Sequence, residues 1–207
     1  MLFVSFRSVL SIAAVAAATL FLGSSLVSAE DASDVKRTKY DFKQLSLQIP
    51  ESWKTVDVDG RMRIGQFEVP AADGDKAPGE YVIFHFGAGG GGDVKANVSR
   101  WVKQFEDEGR TSRVFTGECK QGKYTLVELS GTYKKSIGPP IQMKTKSLPD
   151  WRMMGLIVEA EGGPYFIKFD GPKATVEKAA ADFRAAFGGD ASKEKEEKEG
   201  KEVKSDS

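Results

Sequence analysis

One cysteine and one histidine in 207 residues leave much of protein site chemistry without its usual side chains. Cys119 has no partner in the chain, so an internal disulfide is excluded, and a Cys/His metal site of ordinary spacing lacks its ligands. Any catalytic triad would have to use His85, and no Gly-x-Ser-x-Gly elbow accompanies it. Charge of one sign is lacking too. The 30 basic and 30 acidic residues cancel, so no general attraction to nucleic acid or to an anionic membrane follows, and no nucleic-acid partner is expected.

The one sustained apolar run stands at the N-terminus. Arg7 precedes the small-residue apolar stretch Ser8–Gly23, and Val27-Ser28-Ala29 has the small residues of a signal-peptidase site. The run is short of the about 20 residues a helix needs to span a bilayer. Residues 1–29 are therefore expected to be a signal peptide cleaved after Ala29, which implies a secreted or periplasmic protein with no stable membrane anchor after cleavage. The alternative is an uncleaved N-terminal anchor. At the other end, Gly188–Ser207 carries Lys/Glu-rich sequence with almost no apolar residue, and it reads as a disordered charged tail.

Between these ends, residues 30–39 read as a polar lead-in and 40–187 as one α+β domain. Leu45, Leu47 and Ile49 alternate into Pro50, the mark of a strand, and Pro50–Trp53 reads as a turn that folds Trp53 into the core. Met62–Val69 makes a second strand with Gly65 as a bulge, and Tyr81–Phe86 a third, apolar on both faces apart from His85. Asp93 reads as the N-cap of a helix running to Glu108, whose apolar positions are Val94, Val98, Trp101, Val102 and Phe105. Arg113–Glu118 and Tyr124–Tyr133 form a hairpin, Lys135–Asp150 is a looser segment, and Trp151–Ala160 with Tyr165–Asp170 forms a second hairpin. A last helix opens at Gly171-Pro172 and repeats Val176, Ala179, Ala180, Phe183 and Phe187. The pattern predicts a mostly antiparallel sheet of about six or seven strands packed with two amphipathic helices.

Glycine is concentrated at Gly87-Ala88-Gly89-Gly90-Gly91-Gly92, which matches G-x-G-x-x-G between a strand and a helix. The chain has no repeated βαβ units to extend a dinucleotide site, and an Asp93 carboxylate at the helix terminus would repel a pyrophosphate. The loop reads as conformational, and no cofactor and no metal is expected. Asp73 and Asp75 lack further oxygen ligands at calcium-loop spacing. His85, between Phe84 and Phe86, reads as a partly buried, satisfied imidazole. If the chain presents a ligand or partner surface near its main helix, its residues are Gly89, Gly90, Gly91, Gly92, Asn97 and Arg100. No catalytic residue is assigned.

Leu45-Ser-Leu-Gln-Ile-Pro-Glu-Ser-Trp53 resembles the opening strand of the PsbP/Mog1-like superfamily, in which an apolar strand runs into Pro-x-x-Trp. The order of hairpin, long helix and C-terminal helix is similar as well. Met62-Arg-x-x-Gln-Phe67, the glycine run leading to Asn97-x-x-Arg-Trp101-x-x-Gln-Phe105, and Gly162-Gly-Pro-Tyr-Phe166 with Lys168 resemble signatures of uncharacterised exported bacterial proteins. The superfamily resemblance implies a PsbP/Mog1-like sandwich and a binding or assembly module rather than an enzyme. The expectation is a non-catalytic module acting on a protein or cell-envelope component. A carboxylate-based hydrolase and a small-ligand carrier are the alternatives.

Overall fold

The computed structural model describes residues 35–58, 60, 62–137 and 144–197. The expected signal peptide and the last ten residues of the expected tail lie outside these.

The chain opens with a hairpin, β1 (Arg37–Phe42) and β2 (Leu45–Pro50), which forms a two-stranded sheet of its own. An eight-stranded antiparallel sheet follows. It is built from β3 (Lys54–Thr55), β4 (Arg63–Val69), β5 (Gly79–His85), β6 (Thr111–Cys119), β7 (Gly122–Ser136), β8 (Thr145–Ala160), β9 (Gly163–Pro172) and β10 (Lys195–Glu197). Their spatial order is β10-β6-β7-β8-β9-β5-β4-β3. Among the described residues the helices are α1 (Val94–Val102), α2 (Lys173–Lys178) and α3 (Ala180–Phe187).

The antiparallel α+β class agrees with the sequence pattern, whereas the count of six or seven strands and two helices is corrected. Strand β1 begins inside what reads as a polar lead-in, residues 30–39, and runs on into the expected domain. It is recruited by pairing with β2 in register from Arg37↔Pro50 to Phe42↔Leu45, and its Tyr40 and Phe42 pack on the core. The expected loose segment Lys135–Asp150 is in fact strand at both ends, because β7 and β8 continue their ladder out to Ser136↔Thr145. Residues 138–143 lie outside the described set.

The main helix is shorter than its apolar spacing implies. It ends at Val102, since Gln104–Glu106 pair with β7 instead: the Glu106 amide donates to the Thr132 carbonyl at 2.8 Å, and the Lys134 amide donates to the Gln104 carbonyl at 2.7 Å. Phe105 still reaches the core, carried there by the sheet rather than by a helical turn. The last helix is broken at Ala179 into α2 and α3, and Pro172 stands at the N-cap, one position before the expected one. Pro172 has no side-chain acceptor for the α2 amides. Asp75 supplies it from the β4–β5 loop, accepting from the Thr175 amide at 2.9 Å and its hydroxyl at 2.6 Å.

Alternation along each strand sorts the sheet into two faces. The inner face presents Phe67, Tyr81, Ile83, Tyr165, Ile167, Phe169, Leu156 and Leu126 to the β1–β2 hairpin, Trp53 and α3, whose Phe183 and Phe187 complete an aromatic core. Trp53 is buried 5.2 Å from the Tyr81 ring, the core-filling role its turn predicts. The outer face carries Val127, Leu129, Met153, Ile157 and Phe166, covered by α1 through Trp101. A Cβ added at Gly155 would lie 2.5 Å from the Trp101 ring, so the helix rests on bare backbone there. The bulge expected at Gly65 is present, as a register shift between Arg63 and Gly65.

Residues 188–197 correct the first part of the expected disordered tail. Gly188 ends α3 in the left-handed conformation (φ +78°), and β10 then pairs with β6 in the register Lys195↔Thr116 to Glu197↔Val114. Composition pointed to disorder because the segment lacks apolar residues. It is held by ion pairs and backbone bonds instead.

Candidate functional site

Helix α1 covers only part of the outer face, over β7, β8 and the near side of β9. The strands beyond it, β9, β5 and β4, are the region where the outward residues turn polar: Lys168 and Asp170 on β9, Glu80 on β5, Gln66 and Glu68 on β4. Two aromatics border this patch, beside an irregularity of the β7–β8 ladder. Its register shifts between Gly131 and Tyr133, and Asp150 adopts φ +51° after Pro149. Tyr133 is in phase with Val127 and Leu129, and Trp151 with Met153 and Ile157, so both stand on the outer face, where their rings stack 6.4 Å apart and 12° from parallel.

These groups lock together. The Lys168 ammonium donates to the Tyr133 hydroxyl at 2.6 Å and lies 3.2 Å from Asp170 Oδ1, while the Trp151 indole N–H donates to Asp170 Oδ2 at 3.0 Å. Asp170 is 4% exposed. Burial disfavours the charged form of Lys168, but the neighbouring Asp170 and the Tyr133 hydroxyl outweigh it and hold the lysine pKa above its ordinary value. Burial, opposed by Lys168 and reinforced by Asp170, pushes the Tyr133 phenol up. Lys168 therefore stays an ammonium and Tyr133 a neutral phenol at physiological pH. Neither is poised as a nucleophile or a base.

Next to this lattice lies a cleft of about 310 Å³, with Trp151, Asp170, Glu80, Gln66, Glu68 and Lys135 in its walls. Glu80 accepts from the Gln66 amide at 3.0 Å, with Lys135 at 3.7 Å and Arg63 at 3.9 Å. Cations and anions alternate around the cleft, so it offers paired polar groups beside a fixed indole.

No protein-family model matches the chain, and no curated protein sequence matches it. Among solved structures, the cyanobacterial PsbP protein CyanoP from Synechocystis sp. PCC 6803 is similar with a TM-score of 0.46 and 13% identity, over 82% of this chain and 98% of that one. A protein of unknown function from Pseudomonas aeruginosa is similar with a TM-score of 0.40 and 14% identity, over 72% of this chain and 91% of that one. Neither likeness carries a role over to this chain.

The residues singled out by sequence lie elsewhere, at the start of α1, and the structure brings them together. Asn97 is buried and donates to the Gly91 carbonyl at 2.8 Å and to the Asp93 carbonyl at 2.9 Å; Arg100 in turn donates to Asn97 Oδ1 at 2.8 Å. Asp93 accepts from the Ala96 amide at 2.8 Å, the N-cap that the sequence predicts. Gly89, Gly91 and Gly92 have positive φ, and a Cβ on Gly91 would lie 2.4 Å from the Phe166 ring. At Gly90 a Cβ would meet the Phe86 carbonyl at 2.5 Å. The loop thus lies flat on the sheet and is tied to the helix by Asn97. His85 is buried, stacked 4.3 Å from the Tyr165 ring with Nδ1 3.1 Å from the Pro164 carbonyl.

The lattice of Tyr133, Trp151, Lys168 and Asp170 was not singled out by sequence. One signal was available. In Tyr165–Asp170 a lysine and an aspartate alternate with apolar residues on a strand whose other face is also apolar, the pattern of a paired charge inside a sheet. Tyr133 and Trp151 carry no such signal, because their meeting depends on how β7 and β8 pair.

Proposed function

We propose that the protein is a non-catalytic binding module, exported from the cytoplasm, that engages a protein or cell-envelope component through the uncovered part of its outer sheet face. The observation that carries the reading is the Tyr133–Lys168–Asp170–Trp151 lattice: a rigid, largely buried cluster that forms one wall of an open cleft through Trp151 and Asp170, with its titratable groups committed to one another. Preorganised side chains lose little freedom on binding, which favours recognition. The hydrolase alternative needs one carboxyl group held protonated and a second free to attack or to activate water. In the cleft, Asp170 is engaged at both oxygens and Glu80 is held by Gln66 between two cations. The carrier alternative calls for an enclosed apolar cavity, whereas this cleft is open and sets Asp170, Glu80, Glu68, Gln66 and Lys135 among its apolar side chains.

The test is capture from native envelope fractions. The unaltered protein and a Glu68→Lys/Lys135→Glu variant, altered only at exposed cleft positions, are compared with a Lys120→Glu control at a distant hairpin tip. The reading expects capture of a defined component that the cleft variant loses and the control keeps. Identical capture by all three would refute it.

A further inference from the structure

The eight-stranded sheet ends on the short strand β10, which covers the edge of β6 in an unusual way. Lys195–Glu197 pairs only with Val114–Thr116 of the nine-residue β6, so both flanks of that edge carry no strand partner among the described residues. All three β10 residues are exposed, so no apolar burial holds the strand. Its side chains are read instead. Alternation puts Glu194 and Glu196 on the inner face, where Arg113 lies 4.7 Å and Arg184, also paired with Glu128 at 2.7 Å, lies 5.9 Å from the Phe115 ring centroid.

Glu196 takes the Arg113 fork at 2.8 and 2.9 Å. The Glu194 carboxylate, 3% exposed, receives Arg184 at 3.0 Å and the Tyr124 hydroxyl at 3.2 Å. The Tyr124 phenol is pushed up to about 12 by burial and by Glu194, so it remains a donor at neutral pH. On the opposite face the Thr116 hydroxyl donates to Glu197 at 3.1 Å. This edge has the parts of a peptide site: a backbone ladder, two carboxylate sockets two residues apart, and a third polar contact behind them.

We infer that the β6 edge is a docking groove for an extended acidic segment of a partner protein, with a Glu-x-Glu pattern, and that residues 194–197 are a displaceable strap occupying it in the free protein. The occupant is acidic because Arg113 and Arg184 define the sockets. It is extended because the ladder is antiparallel β. It is able to displace the strap because the strap makes a three-residue ladder with no apolar anchor, beside β6 residues that offer a longer segment more backbone bonds. This surface is separate from the cleft on the outer face, and either can fail without the other.

The experiment uses the full chain and a labelled peptide, Asp-Ala-Ser-Lys-Glu-Lys-Glu-Glu, as the acidic strand. Glu196→Pro loosens the strap by putting a proline into its three-residue ladder and removing the Arg113 partner, without touching a buried group. Hydrogen exchange should show residues 194–197 released and the β6 edge deprotected. The peptide should bind this variant about tenfold or more tighter than the unaltered chain, because a tethered competitor has been removed. Peptide binding should also restore protection at Val114–Thr116. Adding Arg113→Ala should weaken binding about tenfold, the effect of losing one charge-assisted bond. Absence of peptide binding to the released variant would overturn the inference. So would equal binding of a peptide with Gln at every Glu position, or indifference to Arg113→Ala. A concentration-dependent dimer without peptide binding would assign the groove to a second copy's tail and overturn the partner reading.

Discussion

On the inner face of the sheet, Tyr81, Ile83 and Phe169 meet Trp53, Phe183 and the β1–β2 hairpin, and the layer is closed over. On the outer face, the neighbours of those residues along the same strands are Glu80, Val82, Lys168 and Asp170, and the helix that would cover them stops short. Both faces contain buried groups, but they are ordered differently. The inner face is ordered by volume, with rings filling space against rings. The outer patch is ordered by valence, each donor matched to an acceptor. A face built by volume resists change in size, and one built by valence resists change in charge. The second borders an open cleft, through Trp151 and Asp170.

Substitutions can break that contrast. The largest expected effect is on the inner face: Phe183→Ala removes a fully buried ring stacked on Phe169 and should cost about 3–5 kcal/mol in denaturant unfolding. A loss under about 1 kcal/mol would mean that α3 is not docked as described. On the outer face, Lys168→Met conserves volume but leaves Asp170 buried without its cation. It should cost about 3 kcal/mol, at the low end for breaking a buried pair. Adding Asp170→Asn should recover most of that loss, since Trp151 keeps an acceptor and the charge is gone. If the double variant is no more stable than the single, volume and not charge matching orders the patch.

A smaller effect tests the glycine loop against both faces. Asp93→Ala removes the α1 cap and should cost about 0.5–2 kcal/mol, read from thermal or denaturant unfolding. The measurement that would count against this is an unchanged midpoint.

The smallest effect is on the strap. The Ser192 hydroxyl and Lys193 hold Asp190 down to about 2 from the usual 3.8, and Arg113 holds Glu196 below its ordinary range. Both groups have depressed pKa values in the folded state, so their contribution is present above the ordinary carboxylate range. It is lost as pH falls through the folded values. Acidification from pH 3.8 towards about 2 should therefore loosen residues 190–197 while the inner core persists. Exchange-labelled mass spectrometry checks the order of events, and simultaneous loss of strap and core would contradict it.

The inner face was legible in the sequence because period and apolarity are local signals. Leu45, Leu47 and Ile49, the Trp53 plug, the Gly65 bulge and the Asp93 cap could all be read from near neighbours. What could not be read depends on distant pairing. Strand β1 turns into β2 through Lys43 at φ +56°, where glycine or asparagine would have marked the turn. Helix α1 loses its last turns to a ladder with residues near Thr132. The aromatic pair beside Lys168 exists only because β7 and β8 pair in one register, which sets Trp151 opposite Gly131. For the candidate site, Lys168 and Asp170 left a trace in the local pattern, whereas Tyr133 and Trp151 left none.

The position of β9 has a consequence for the order in which the molecule can be made. This strand lies between β8 and β5, so the β3–β4–β5 part of the sheet has no partner on one side until residues 163–172 arrive. A chain emerging N-terminus first carries Tyr81, Val82 and Ile83 as an open apolar edge while the next stretch of about eighty residues is still being delivered. Its sheet closes late, by joining distant segments rather than by adding hairpins in turn. Such a chain depends on being kept apart from its neighbours until its C-terminal third is free, and an early stop before residue 163 leaves a strand with an unpaired edge open to aggregation.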